Sequence, residues 1–293
     1  MIKPPSLQPG DTIALVAPAR AVQPEEVLGF KSWAQHFGWS VLEAPNLFGR
    51  ENQFSGSHEQ RAADLHWAAQ HPEVKAVLSA RGGYGCMPLL PLLQPQVFQQ
   101  NPKWWCGYSD ITTLHLWLQK LGLASLHSPM ATRGLWENHA PTEDGVALAR
   151  ALQGEGIEIE LAPGQPFDGE LVGGNFSLVY ASLGTPEQPD TKGKVLFLED
   201  LDEYLYHIDR MGQSMQRVGL FQEPAAVLFG SLIDMNDNAV PFGRSAQQIM
   251  RDLLKTSPYP QQFDIPVGHA IPNRTIALGL RCTFDGLTLR QDT

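Results

Sequence analysis

Residues 11–19 read DTIALVAPA, a short apolar run that stops at a proline among small residues. A run this short, bounded by turn residues, reads as a buried strand. Its continuation decides the fold. In residues 24–39, PEEVLGFKSWAQHFGW, the side chains Val27, Phe30, Trp33 and Phe37 recur every three to four positions and make one apolar helical face. SVLEAP (40–45) is a second strand. SHEQRAADLHWAAQHPE (57–73) opens a further helix, with Ser57 and Gln60 at capping-box spacing. VKAVLSA (74–80) and WWCGY (104–108) supply a third and a fourth strand. Strands alternating with helices predict an α/β fold whose mostly parallel sheet is covered on both faces. Ligands of such sheets bind beyond the carboxyl ends of the strands.

Composition narrows the function. The chain has 293 residues, a formal net charge of -10 and three cysteines. An acidic balance without concentrated Lys and Arg argues against a nucleic-acid partner. No basic amphipathic stretch suggests a membrane surface, and no apolar run is long enough to span a bilayer. The N-terminal MIKPPSLQPG places prolines where a signal peptide needs an unbroken apolar core, so a soluble, cytoplasmic protein is expected. Cys86, Cys106 and Cys282 are odd in number and lack C-x-x-C spacing, which implies neither a disulfide framework nor a zinc site. The small buried thiol that ends a strand is the better account of Cys106 than a nucleophile.

Between about residues 136 and 170 the alternation fails. One short helix lies in WENHAPTEDGVALARALQGEG (136–156), and LAPGQPFDGE (161–170) is a loop. This predicts a first domain over 1–140, a linker over 141–168 and a second α/β domain over 169–293. In the second half, GELVGGNFSLVYASLG (169–184) and KVLFLEDLDEYLYHIDRMGQSMQRVG (194–219) each read as strand then helix. The second helix carries a stripe of Leu205, Ile208, Met211, Met215 and Val218, expected in the core. AAVLFGSL (225–232) is a buried strand, and TIALGLRCTFDGLTLR (275–290) reads as two strands around the hairpin turn Asp285-Gly286.

Three places could carry chemistry, each expected at the C-terminal end of a strand. In CGYSDITTLH (106–115), Ser109 stands where a strand meets a helix beginning at Asp110. Unpaired N–H groups and the macrodipole there favour negative charge. Ser109 or Asp110 could simply cap the helix, or Ser109 could be a nucleophile whose oxyanion the helix start stabilises. In SARGGYGC (79–86), adjacent glycines permit a sharp turn with exposed N–H groups. The stretch lacks the Lys-Ser/Thr of a phosphate loop and the G-x-G-x-x-G fingerprint. An oxyanion donor at Gly82 or Gly83 fits better, with Arg81 free to meet a carboxylate. Finally, VLFLED leads to Glu199 and DIPVGHA to His269. A serine needs a base, and a histidine base works best when a carboxylate orients it. His127 is the nearest rival base, and His115 points to another face of the Ser109 helix. Asp200 and Glu203 flank Glu199, and periodicity does not choose among the three.

Taken together, SARGGYG, GYSDITTLH, GELVGGNFSLV, LFLEDLDEYLYHIDRM and PVGHAIPN resemble the LD-carboxypeptidases, a family of serine peptidases, over nearly the whole chain. The resemblance implies a catalytic Ser109, Glu199 and His269, with backbone oxyanion donors at Gly83 and Asp110. It implies a Rossmann-like (flavodoxin-like) N-terminal domain, a smaller β-rich α/β C-terminal domain and a homodimer. Arg81, Gly82, Tyr84 and Asn175 are the candidate substrate-binding residues. No metal and no cofactor is expected. The implied partner is a small peptide, a muropeptide that loses its terminal D-alanine in peptidoglycan recycling. Ala19 and Ser128 stand where family members often have serine and glycine, which bears on substrate preference. The other readings are a peptidase that detoxifies a peptide–nucleotide antibiotic, a non-catalytic binder of wall peptides, and an α/β-hydrolase. The last conflicts with Ile111 at the fifth position of the elbow motif.

Overall fold

The computed structural model describes residues 1–293. Strands β1 (Thr12–Val16), β2 (Ser40–Glu43), β3 (Val74–Ser79), β4 (Trp104–Gly107) and β5 (Ser125–His127) form a parallel sheet in the order 2-1-3-4-5. That is the flavodoxin-like order. Helices α1 (Leu28–His36), α2 (His58–Gln70), α3 (Pro95–Gln100) and α4 (Thr112–Lys120) connect its strands. The capping box at α2 forms: Ser57 Oγ accepts from Gln60 N–H at 3.3 Å, and Gln60 Oε1 accepts from Ser57 N–H at 2.9 Å. Phe30, Trp33, Leu15, Val77 and Trp104 lie wholly buried between sheet and helices.

The connecting region is more ordered than a linker. It contains the short ribbon β6 (Trp136–Glu137) with β7 (Ala140–Pro141), then helix α5 (Glu143–Leu152) and strand β8 (Ile157–Glu160). Trp33 Nε1 donates to Gly145 O at 2.9 Å and ties α5 to α1.

The second sheet is mixed. Strands β9 (Phe167–Asn175), β10 (Val195–Leu201), β11 (Ala226–Ile233) and β12 (Gln261–Gln262) run parallel. Helices α6 (Phe176–Ala181), α7 (Leu205–Arg217) and α8 (Ala246–Leu254) cover it. The stripe on α7 is buried at Ile208, Met211 and Met215, whereas Val218, past the helix end, is exposed. The segment expected as a two-strand hairpin divides in three. Its first part, β13 (Ile276–Leu278), pairs antiparallel with β5 and closes the edge of the first sheet. Only β14 (Arg281–Phe284) and β15 (Thr288–Gln291) make the hairpin, which β9 and β8 flank.

Helix α4 sits between the two layers. Leu114, Trp117 and Leu118 pack in the first core, while Leu116 packs with Val172, Phe176 and Met211 in the second. The start of α4 is fixed against the end of β9, where Asn175 N–H donates to Thr112 Oγ1 at 2.9 Å.

Candidate active site

Ser109 follows β4 on a single 3-10 turn, Ser109–Ile111, which leads into α4. Its φ is +62°. A side chain in that left-handed region costs about 1–3 kcal/mol and persists where neighbours fix it. Here the fixing group is Asp110. Its buried carboxylate accepts from Cys86 N–H at 2.8 Å, beyond the glycine turn, and does not cap the helix as the sequence allowed. Burial pushes the Asp110 carboxyl up from its ordinary value, with Cys86 and the Arg61 charge opposing. The hydroxyl of Ser109, partly accessible, lies 3.3 Å from where a Cβ on Gly82 would stand.

Gly83 has φ +110°, and a Cβ there would lie 2.5 Å from Arg20 Cδ. Its N–H reaches no protein acceptor. Beneath the turn lies Arg61, 1% exposed. Its Nη1 donates to Gly85 O at 2.7 Å and to Pro18 O, and its Nε donates to Gly56 O at 3.3 Å. One buried guanidinium thus clamps the glycine turn, the segment after β1 and the entry to α2. Sequence reasoning missed this residue. The signal was an arginine on the apolar face of α2, in register with Leu65 and Ala68.

Glu199 is wholly buried, and it lies inside β10 rather than after it. The β10–β11 register shifts between Leu198 and Asp200, so Gly230 and Ser231 oppose Glu199 alone. Such a bulge re-aims a side chain. Glu199 Oε2 lies 2.7 Å from His269 Nδ1. A buried carboxylate accepts, so the hydrogen resides on Nδ1 and the Nε2 lone pair is free. The other oxygen, Oε1, accepts from Asn175 Nδ2 at 3.4 Å.

His269 stands on a loop, not at a strand end. DIPVGHA runs beside β11 with isolated contacts, Ile265 N to Phe229 O at 3.1 Å and Ser231 N to Val267 O at 3.1 Å, because Pro266 supplies no N–H to continue a ladder. Side chains replace the ladder. Ser231 Oγ accepts from His269 N–H at 2.8 Å and from Ala270 N–H at 3.2 Å, and Asn273 Oδ1 accepts from Gly268 N–H at 2.9 Å. Gly268, at φ +122°, lets the loop approach: a Cβ would meet Glu199 Oε2 at 2.6 Å.

Ser109, His269, Gly82, Gly83 and Arg81 line one cleft of about 590 Å3, with no direct hydrogen bond between Ser109 and His269. Tyr108 joins them, its ring edge-on to the imidazole at 4.7 Å. Two of the candidate substrate residues lie elsewhere. Tyr84 packs against Phe54 outside the cleft wall, and Asn175 is 2% exposed behind Glu199. Asn175 Nδ2 also donates to Asp200 Oδ1 at 2.9 Å. Burial and the Glu199 charge push the Asp200 carboxyl up to about 6, while Ser177 holds its other oxygen. Glu203 pairs with His207 Nδ1 at 2.6 Å. Of the three acids, Glu199 alone contacts His269. The rival histidines are buried in the core. His115 Nε2 meets Gly107 O at 2.9 Å and its titration is pushed down to about 4 by burial; His127 is pushed well down as well.

A serine at a strained elbow, facing a carboxylate-bound histidine across a cleft between two α/β layers, defines the hydrolase class of Ser-acid-His enzymes. The comparisons specify which. Residues 13–128 match the model of the LD-carboxypeptidase N-terminal domain, and residues 168–284 match that of the C-terminal domain. A probable murein peptide carboxypeptidase of Bacillus subtilis is 33% identical over 97% of this chain and 91% of its own. The murein tetrapeptide carboxypeptidase of Pseudomonas aeruginosa is 30% identical over 95% and 94%. The chain belongs to the LD-carboxypeptidase family and is a serine-type carboxypeptidase. Its fold matches that of muramoyltetrapeptide carboxypeptidase from Oxalobacter formigenes, with TM-score 0.86 and 24% identity over 96% of this chain and 99% of that one. It also matches microcin C7 self immunity protein MccF in complex with glutamyl sulfamoyl guanosine, with TM-score 0.83 and 18% identity over 98% and 97%.

Proposed function

We propose that this chain hydrolyses the L,D peptide bond that joins the terminal D-alanine to a murein tetrapeptide, with Ser109 as nucleophile, His269 as base and Glu199 as its orienting acid. The observation that carries the reading is the 2.7 Å contact between buried Glu199 and His269, in a cleft that Ser109 shares. With Nδ1 committed to Glu199, Nε2 takes the Ser109 proton as Oγ attacks the carbonyl carbon. The oxyanion is received by the N–H groups of Gly83, in the glycine turn, and of Asp110, at the helix start. The imidazolium then protonates the departing nitrogen of D-alanine, leaving an acyl-enzyme on Ser109. Water, deprotonated by the same Nε2, attacks the ester and restores the serine. The nucleophile follows a strand of the first sheet, whereas the acid lies on a strand of the second sheet and the base on the loop beside it.

The relatives named for murein peptides support this substrate class. A peptide–nucleotide substrate would call for an aromatic platform, and Tyr108 is the single aromatic ring lining the cleft, already packed on His269. The same reading expects a cytoplasmic homodimer. The test is incubation of purified protein with murein tetrapeptide: D-alanine is released by the wild type and not by Ser109→Ala. Absence of release by the wild type, under conditions where an active family member works, overturns the reading.

A further inference from the structure

We propose that Arg133 binds the free C-terminal carboxylate of the substrate and thereby confines cleavage to the last residue of the peptide. The inference rests on the roles given above to Ser109 and His269. In the departing amino acid, one carbon separates the nitrogen that His269 protonates from the carboxylate. A cation that reads this carboxylate must therefore flank His269.

Three arginines line the cleft: Arg20, Arg81 and Arg133. Arg81 has an acidic neighbour, its Nη1 3.4 Å from Glu26 Oε1 in an exposed pair. Arg20 lays its stem over Gly83, at the turn that receives the oxyanion. Arg133 alone of the three also lines a second cavity of about 240 Å3, which meets the cleft at Tyr108 and His269. Its charge is felt at the Tyr108 phenol, opposing the upward push of burial, and the Tyr108 ring is 4.7 Å from the imidazole.

The guanidinium is also unspent. It makes no ion pair with any of the three acids that line the same cavity: Arg274 occupies Glu143 and Asp144, at 2.6 and 3.0 Å, and Glu137 lies beyond ion-pair distance. Its backbone is fixed: Ala131 N–H donates to Ser79 O at 3.2 Å, Thr132 N–H to Ala80 O at 3.2 Å, and Thr132 Oγ1 to Ala80 O at 3.1 Å. A planar fork on an anchored turn suits bidentate recognition of a carboxylate.

The experiment compares kcat/KM on the tetrapeptide and on its C-terminal amide. The wild type is expected to prefer the acid strongly. Arg133→Gln loses about 10- to 100-fold on the acid, chiefly through KM, and little on the amide, so the preference collapses. Arg133→Lys restores part of it, and Arg81→Gln keeps it. Arg133 is exposed, so Tm is expected to be unchanged in these variants. An undiminished acid preference in Arg133→Gln, or its collapse in Arg81→Gln instead, overturns the role of Arg133 while leaving the functional reading intact. A wild type inactive on both peptides overturns the functional reading and this inference with it.

Discussion

Glu199 and His269 are held together from behind as well as by their own 2.7 Å contact: the carboxylate has no exposure to solvent, and its second oxygen rests on Asn175. The pair forms because the bulge in β11 opposite Glu199 and the glycine at 268 bring a strand and a loop closer than ordinary side chains allow.

Glu199→Gln keeps the shape and removes the charge that fixes the proton on Nδ1. A glutamine can present its N–H to the imidazole, which favours the wrong tautomer. kcat is expected to fall about 1,000- to 10,000-fold, with KM little changed, as measured by steady-state D-alanine release.

Ser231→Ala leaves the His269 and Ala270 N–H groups without their shared acceptor. Stability is expected to drop by about 1–3 kcal/mol in urea unfolding. The released loop misplaces the imidazole, so kcat falls more than KM rises. An unchanged kcat would show that Ser231 does not position the base.

Asp200 imposes a pH dependence on folding. Its folded value of about 6 lies above the ordinary 3.8, for reasons of burial first and the Glu199 charge second. Between about pH 4 and 6 the native protein retains a proton that the unfolded chain has shed. The contribution of this group is therefore complete below pH 4 and is lost as pH rises to 6. Its amplitude is on the order of 2–3 kcal/mol. Unfolding free energies of wild type and Asp200→Asn, measured across that window, should differ by this slope; parallel curves would refute it.

The three thiols should be silent. Burial pushes Cys86, Cys106 and Cys282 up, Cys282 to about 12, and the Asp110 charge adds to the effect at Cys86. Little thiolate exists at pH 8 in the native protein. A colorimetric thiol reagent should find none of the three until denaturant is added, then all of them.

What the sequence made legible follows from periodicity. Alternating apolar runs and helical faces such as Val27–Phe30–Trp33 mark elements whose burial is dictated locally, and the first sheet is built from them. The His269 segment has the apolar character of a strand because it is buried beside β11, while Pro266 breaks the pairing that would make it one. β13 reads as part of the hairpin because IALGL, 276–280, is apolar without a break; its turn at Gly279, φ +84°, sends the two halves to different sheets. Arg61, Ser231 and Asn273 escaped notice because each acts on backbone groups of distant segments, a relationship that only the folded chain creates.

The return of β13 to β5 has a consequence for biogenesis. The strand that completes the first sheet follows the imidazole at 269 by seven residues. A ribosome-bound or truncated product that stops short of it would expose an open β5 flank and lack a seated base at the same time. On the proposed roles, enzymatic competence and protection of the sheet edge are thus acquired together, and fragments that stop before β13 are both inert and prone to strand-wise association.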